Sequence, residues 1–282
     1  MITSPSNQHI AHLRTLHQPK GRAQSDSFLI EGPHLLDAAV TANIVPALIV
    51  YAPELLERTA AGRRTIGTIQ AAESQGAAVF PAASPAIERA ADTRTPQGVV
   101  AEIRLADVSV ERIRTHRRGR FRPLLLVLDA IRDPGNVGTL LRSALAADVD
   151  EVLLSRDCAD PYSPKVVRSG SGAHFHLPVL ADQSWDAIRA RLEGQPAIRQ
   201  VLLAEATARQ PYDAFDLTQR TALIIANEAH GPSAESIRLA TDRLAIPMWN
   251  KVESLNAAIA GSVILFEAAR QRRAHEAPST TA

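Results

Sequence analysis

The chain has 282 residues, 45% of them apolar and 22% charged, with a formal net charge of +1; that length fits about two domains at ~150 residues each, and the balanced charge leaves any nucleic-acid affinity to local clusters. A single cysteine, Cys158, excludes an intramolecular disulfide framework, speaks against a cysteine–histidine zinc site and fits a reducing cytosol. No apolar run reaches the ~18 residues of a membrane span, and the first 20 residues, polar and carrying three histidines, do not read as a secretory leader.

Residues 6–17 place Ile10, Leu13 and Leu16 at helical spacing, with Ser6 or Asn7 as cap. A strand at 27–31, punctuation at Gly32–Pro33 and a helix at 34–42 follow. Strands at 46–50 and 77–80, helices at 63–75 and 84–91 and a last strand at 97–103 complete a small α/β domain, taken as 1–105. Residues 111–123 then hold six arginines and one histidine against one glutamate. Such a run reads equally as a solvated linker, taken as 106–122, and as a phosphate contact. From Leu124 the pattern changes to unbroken apolar strands at 124–128, 151–155, 200–204, 222–226 and 243–247, with helical stretches between them. That pattern predicts a mostly parallel sheet covered on both faces, in a domain of 123–274, with a disordered tail at 275–282.

Three polar, glycine-bearing corners stand at the ends of these strands, where open α/β sheets bind ligands. In the first, 129–144, Asp133-Pro134-Gly135-Asn136 makes a turn, a helix starts near Val137 or Gly138 with Asn136 as cap, and Arg142 follows. On periodicity alone Arg142 is a surface arginine. The corner is neither a Walker loop nor a GxGxxG loop. The second corner, Asn227-Glu228-Ala229-His230-Gly231, reads by itself as a turn. The third runs from Ile246-Pro247-Met248 to Ser254-Leu255-Asn256, with Ser254 as cap of a long helix whose Ala257, Ala258, Ala260 and Gly261 permit close approach.

In this order and spacing the three corners resemble the SpoU (TrmH-like) group of the SPOUT RNA methyltransferases. The matching motifs are Asn136-x-Gly138-x-x-x-Arg142-x-Ala144, then Ala226-Asn227-Glu228-Ala229-His230-Gly231, then Ile246-Pro247-Met248 with Ser254-Leu255-Asn256. Ala226 stands where the family usually has glycine; its methyl is either tolerated or crowds the adenosine. Ser6-Asn7 through Gly32 resembles the ribosomal-protein-like RNA-binding domain common in the family.

The resemblance implies a deep trefoil knot, a homodimer packed through the last helix, and methyl transfer from S-adenosylmethionine to a ribose 2′-hydroxyl of RNA, with ribosomal RNA favoured over transfer RNA. It implies a cofactor pocket at the backbone of Leu203, Ala204, Glu205, Ala226, Gly231, Ile246, Met248 and Leu255, and catalytic roles for Arg142, Asn136, Glu228, Ser254 and Asn256. Lys20, Arg22, Arg117, Arg118, Lys165 and Arg168 are the expected RNA contacts, no metal is expected, and the setting is cytoplasmic. Two alternatives stay open: a methylation-inactive RNA-binding relative, and a nucleotide enzyme on an ordinary doubly wound sheet, against which the missing phosphate-loop glycines count.

Overall fold

The computed structural model describes residues 1–116, 122–194, 197–250 and 253–276. In chain order the elements are α1 (Gln8–Thr15), α2 (Pro19–Ser25), β1 (Ser27–Glu31), α3 (Pro33–Thr41), β2 (Leu48–Tyr51), α4 (Pro53–Leu56), α5 (Ala60–Ser74), β3 (Ala78–Pro81), α6 (Ser84–Ala90), β4 (Val99–Arg104) and α7 (Val110–His116). They continue with β5 (Leu124–Asp129), α8 (Pro134–Ala146), β6 (Glu151–Ser155), α9 (Pro164–Gly170), β7 (Val179–Gln183), α10 (Trp185–Glu193), β8 (Gln200–Ala204), β9 (Gln210–Pro211), β10 (Thr221–Ala226), α11 (Ala234–Leu239), β11 (Asp242–Ala245) and α12 (Ala257–Glu276). The chain divides into two compact units: Met1–Arg112 with Asp160–His176, and Ile113–Ala159 with Leu177–Ala282.

The first unit is built on a four-stranded sheet of order β1-β4-β2-β3, antiparallel except for the β2–β3 pair. Asn7 caps α1, its side chain accepting from the amide of His9 at 2.9 Å. Ile10, Leu13 and Leu16 are buried with Leu29, Val50 and Val100, so the apolar stripe read from the sequence does face the sheet. Gly32 has φ of +92°, which a residue with a Cβ adopts only under strain, and it turns β1 into α3. Asp160–His176 is separated in sequence from the rest of this unit. Its Tyr162 and His174 close an aromatic group with Phe28 of β1, with ring centroids 5.2 to 6.1 Å apart. The sequence placed this segment in 123–274; its partners include Phe28 of β1, Arg22 of α2 and His34 of α3.

The second unit carries a seven-stranded sheet of order β7-β6-β5-β10-β8-β11-β9, parallel at every pairing. Leu125, Val127, Leu203, Ala222 and Ile224 face Ile188 and Leu192 of α10 and Leu239 of α11. On the side of α8 and α12, Gly261 lets the last helix close in: a Cβ there would stand 2.5 Å from Leu140 Cδ2. Full burial of β5 and β6 on both faces explains why Leu124–Leu128 and Val152–Leu154 are unbroken apolar runs rather than alternating.

Four local readings are corrected. The first-corner helix begins at Pro134, not near Val137: Asp133 is the cap, accepting from the amide of Asn136 at 2.9 Å, and proline suits the first helical position. Ser254 does not cap the last helix. Asn256 does, its Oδ1 accepting from the amides of Ala258 (3.0 Å) and Ile259 (3.2 Å). Helix also replaces linker over Val110–His116, and α12 runs through Glu276, beyond the expected tail boundary; residues 277–282 lie outside the described residues.

Candidate active site

A cavity of about 300 Å³ opens beyond the C-terminal ends of β8, β10 and β11. Ile225, Leu244, Ile246, Met248, Leu255 and Ile264 give it apolar walls, and Ala204, Ala226, Ala257 and Ala260 keep those walls thin. Glu205, Thr207, Asn227, Glu228 and Ser254 are its polar lining. A largely apolar volume with a few polar groups, at strand ends, is the form small-molecule sites take. Of the eight residues expected to hold cofactor, Ala204, Glu205, Ala226, Gly231, Ile246, Met248 and Leu255 line this cavity. Leu203 does not: strand pleating turns it into the core between the sheet and α10, fully buried. Ala226 ends β10 in ordinary extended backbone, so its methyl is housed without strain, whereas Gly231 has φ of +68°.

The three corners meet in one hydrogen-bonded chain. Asn256 Nδ2 donates to Asn136 Oδ1 at 2.9 Å, Asn136 Nδ2 donates to Glu228 Oε1 at 3.1 Å, and the same carboxylate oxygen accepts from the amide of Ala257 at 2.5 Å. Glu228 therefore places negative charge at the N-terminal end of α12, where the orphan amides and the helix dipole favour it. Arg142 lies on α8, exposed, with no hydrogen bond or ion pair among the described residues. Ser254 is exposed at the cavity.

Behind this chain stands a support that the sequence reading left out. Asp129 is 2% exposed and grips both ends of the second corner: its backbone oxygen accepts from the amide of Asn227 (3.1 Å) and its Oδ2 from the amide of Ser233 (2.8 Å). Asn227 Nδ2 in turn donates to the carbonyl of Ala130 (2.8 Å), whose amide donates to Ser155 Oγ (2.9 Å). Ala130 is held at φ of +53°, a left-handed backbone that costs a residue with a Cβ about 1–2 kcal/mol. The available signal was an aspartate directly after an unbroken apolar run. Cys158 stands in surroundings that disfavour the thiolate. Burial pushes its thiol pKa up, and its Sγ donates to the carbonyl of Leu128 at 3.3 Å.

The expected RNA contacts separate into different fates. Lys20 and Lys165 are exposed. Arg168 pairs with Asp92 at 2.6 Å. Arg22 is corrected: it is 4% exposed, bound to Asp160 and donating to the carbonyls of Leu16 (2.8 Å) and His17 (3.0 Å), so its guanidinium has no face left for phosphate. Within the basic stretch, Arg112 pairs with Asp107 and Arg114 with the buried Glu151, which Arg191 also binds. Arg117 and Arg118 lie outside the described residues. Among the described residues no cluster of histidine, cysteine and carboxylate side chains is suited to a metal, and no helix is long and apolar enough to cross a membrane.

Residues 123–266 match the SpoU rRNA Methylase family, and residues 7–101 match the MRM3-like substrate binding domain. A tRNA/rRNA methyltransferase of Synechocystis, itself uncharacterised, is 35% identical over 98% of this chain and 96% of its own. The 23S rRNA (guanosine(2553)-2′-O)-methyltransferase of Bacillus subtilis is 30% identical over 94% of this chain and 97% of its own. The AdoMet complex of the SpoU methyltransferase AviRb from Streptomyces viridochromogenes superposes with a TM-score of 0.79, at 27% identity over 95% of this chain and 100% of that one.

Proposed function

Since the chain belongs to the SpoU rRNA methylase family, we propose that it transfers a methyl group from S-adenosylmethionine to a ribose 2′-hydroxyl of ribosomal RNA. The observation that carries this reading is the joining of Asn136, Glu228 and Asn256 beside an apolar cavity of about 300 Å³. The cavity fits the cofactor in kind: apolar walls and alanines for an adenosine, with Glu205 and Asn227 as polar partners. When bound, S-adenosylmethionine supplies an electrophilic sulfonium methyl.

The chain's own part is positioning and charge. A ribose hydroxyl is a poor nucleophile at neutral pH, and its proton must leave as the new carbon–oxygen bond forms. Arg142 carries a guanidinium, a hydrogen-bond donor with no acceptor site, so it is no base. Exposed, and without a hydrogen bond or ion pair among the described residues, it can bind the phosphate next to the acceptor ribose bidentately and hold the sugar in line, the phosphate oxygen sharing the proton. Asn136, Glu228 and Asn256 fix the loop from which the sugar is approached, and Ser254 stands at its edge. Lys20 and Lys165 contribute phosphate contacts from the first unit.

The same reading includes a trefoil knot within 123–274, supported by the seating of β10 between β5 and β8 and by the return of the chain from β11 to meet Glu228. It includes a ribosomal-protein-like first unit and the cytoplasm as the setting, as the Bacillus relative's ribosomal substrate supports. It also includes a homodimer through α12, whose Ile259 and Phe266 are about half exposed two turns apart on one face. Calorimetric titration with S-adenosylmethionine tests the pocket. Transfer of labelled methyl to ribosomal but not transfer RNA tests the substrate, and binding without any transfer would leave an inactive relative as the reading.

A further inference from the structure

Three neighbouring strands of the parallel sheet, β5, β10 and β8, each begin directly after an arginine or one residue beyond it. Arg122 precedes Pro123 and β5, Arg220 precedes β10, and Arg199 precedes β8. Adjacent strands lie ~4.8 Å apart, so three guanidinium stems leave one edge of the sheet side by side. The backbone fixes them to one another: the amide of Arg199 donates to the carbonyl of Arg220 (2.9 Å), and that of Thr221 donates to the carbonyl of Pro123 (3.0 Å). Arg122, Arg199 and Arg220 line one cavity of about 290 Å³, together with Asp216 and Gln219.

The cavity's charge is not internally balanced. Its one carboxylate is already occupied: Asp216 Oδ1 accepts from the amide (3.0 Å) and the hydroxyl (2.6 Å) of Thr218, and Oδ2 from Gln219 Nε2 (3.0 Å). Arg199 and Arg220 make no ion pair or side-chain hydrogen bond among the described residues; Arg122 Nη1 meets the ring of His275 (2.9 Å), and, after the hydrogen bonds from Thr218 and Gln219, its charge helps hold the Asp216 carboxyl below the usual range. A fourth arginine works behind them. Arg272, 8% exposed, donates to the carbonyls of Arg122 (2.7 Å), Leu217 (2.9 Å) and Gln219 (2.7 Å), pinning the cavity's rim. Like charges gathered on rigid strand ends repel one another unless an anion joins them, and planar guanidinium forks match phosphate oxygens.

We propose that Arg122, Arg199 and Arg220 form a second phosphate site, which grips the backbone of the substrate RNA at the opposite end of the sheet from the methyl-transfer cavity. The parallel strands make the separation plain, because the first cavity lies beyond Ala204 and Ala226 and this one precedes Gln200 and Thr221. Strands of five or six residues put ~17–20 Å between them, so the site holds a phosphate away from the modified nucleotide and adds affinity without touching the chemistry. The inference rests on the reading of the chain as an RNA methyltransferase.

The test uses the full chain and the double variant Arg199→Ala/Arg220→Ala, with ribosomal RNA and, separately, inorganic phosphate as probes. The variant should bind ribosomal RNA at least tenfold more weakly near physiological salt, and its log-affinity against log-salt slope should fall by about 1.4, two phosphate contacts at ~0.7 each. Its affinity for S-adenosylmethionine should not change. Arg199→Lys/Arg220→Lys, which keeps the charge, should retain most of the slope, which separates phosphate binding from a folding defect. Unchanged RNA affinity and slope in the alanine variant would overturn the proposal. So would inorganic phosphate binding that the alanine variant loses with no change in RNA binding, since the site would then serve a free anion. Methyl transfer by the unaltered chain is measured alongside: if it occurs while the variant matches it in RNA binding, this inference fails and the proposed function does not.

Discussion

Two polar networks tie distant parts of this sequence together, and they end in opposite states. In the first unit, the buried Arg22 meets the partly exposed Asp160, while Tyr162 and the buried His174 pack on the buried Phe28. In the second unit, Asn136, Glu228 and Asn256 join at an open cavity, and Arg142 stands exposed on the same helix as Asn136 with no ion pair among the described residues. The first network contains an arginine that the sequence offers as an RNA contact; beside the second stands one that it offers as catalytic. Burial with a full set of partners makes one a structural bolt; exposure without partners leaves the other for chemistry.

The contrast is broken most directly at Arg142. Arg142→Ala should lower methyl transfer by 10²-fold or more, since it removes alignment of the reacting sugar, with S-adenosylmethionine affinity and melting temperature almost unchanged. Loss of cofactor binding in that variant would move Arg142 from the substrate to the pocket. Arg22→Ala is the mirror experiment. It should cost about 3 kcal/mol of stability, because it leaves a carboxylate and two carbonyls without their donor, and denaturant titration would read the loss. Weakened RNA binding with stability intact would reverse the assignment of Arg22.

Proton linkage sharpens the same division. Burial lowers the His174 pKa from the usual 6.5 to about 4. Between those values the unfolded chain takes up a proton that the folded chain refuses, so stability falls as pH falls from 6.5 to 4 and levels off below. The size is of order 3 kcal/mol. Thermal unfolding across that range should show the slope, and His174→Phe should flatten it; a slope unaltered by that change would place the titrating group elsewhere. The smallest effect is expected at Ala226. Because its backbone is ordinary strand, Ala226→Gly should cost about 0.5–1 kcal/mol of stability through chain entropy and shift S-adenosylmethionine affinity less than threefold. A large gain in affinity would mean that the methyl obstructs the cofactor.

Local pattern carried the sequence reading where local physics decides the structure. Unbroken runs such as Leu124–Leu128 and Gln200–Ala204 mark strands buried on both faces, and β6 and β8 fall on their expected residues. Seven of the eight residues expected at the cofactor pocket line one cavity, because motif spacing places them at strand ends. Long-range partners were not legible. Nothing near Asp160–His176 says that it packs on β1, since the bond to Arg22 spans 138 residues. Arg22 and Arg142 look alike until burial separates them. Asp133-Pro134 reads as a turn and is a helix start, because an aspartate cap followed by proline satisfies both patterns. Asp129 ends an apolar run and carries no local sign of the two amides it holds.

The measurement that decides most is the chemical position of the transferred methyl. Ribosomal RNA incubated with the full chain and labelled S-adenosylmethionine should gain label at a discrete nucleotide, with the phosphodiester bond 3′ to that ribose resistant to alkali, and Arg142→Ala should abolish that resistance. Label recovered on a base, with alkali cleaving every bond, would contradict ribose methylation by this site.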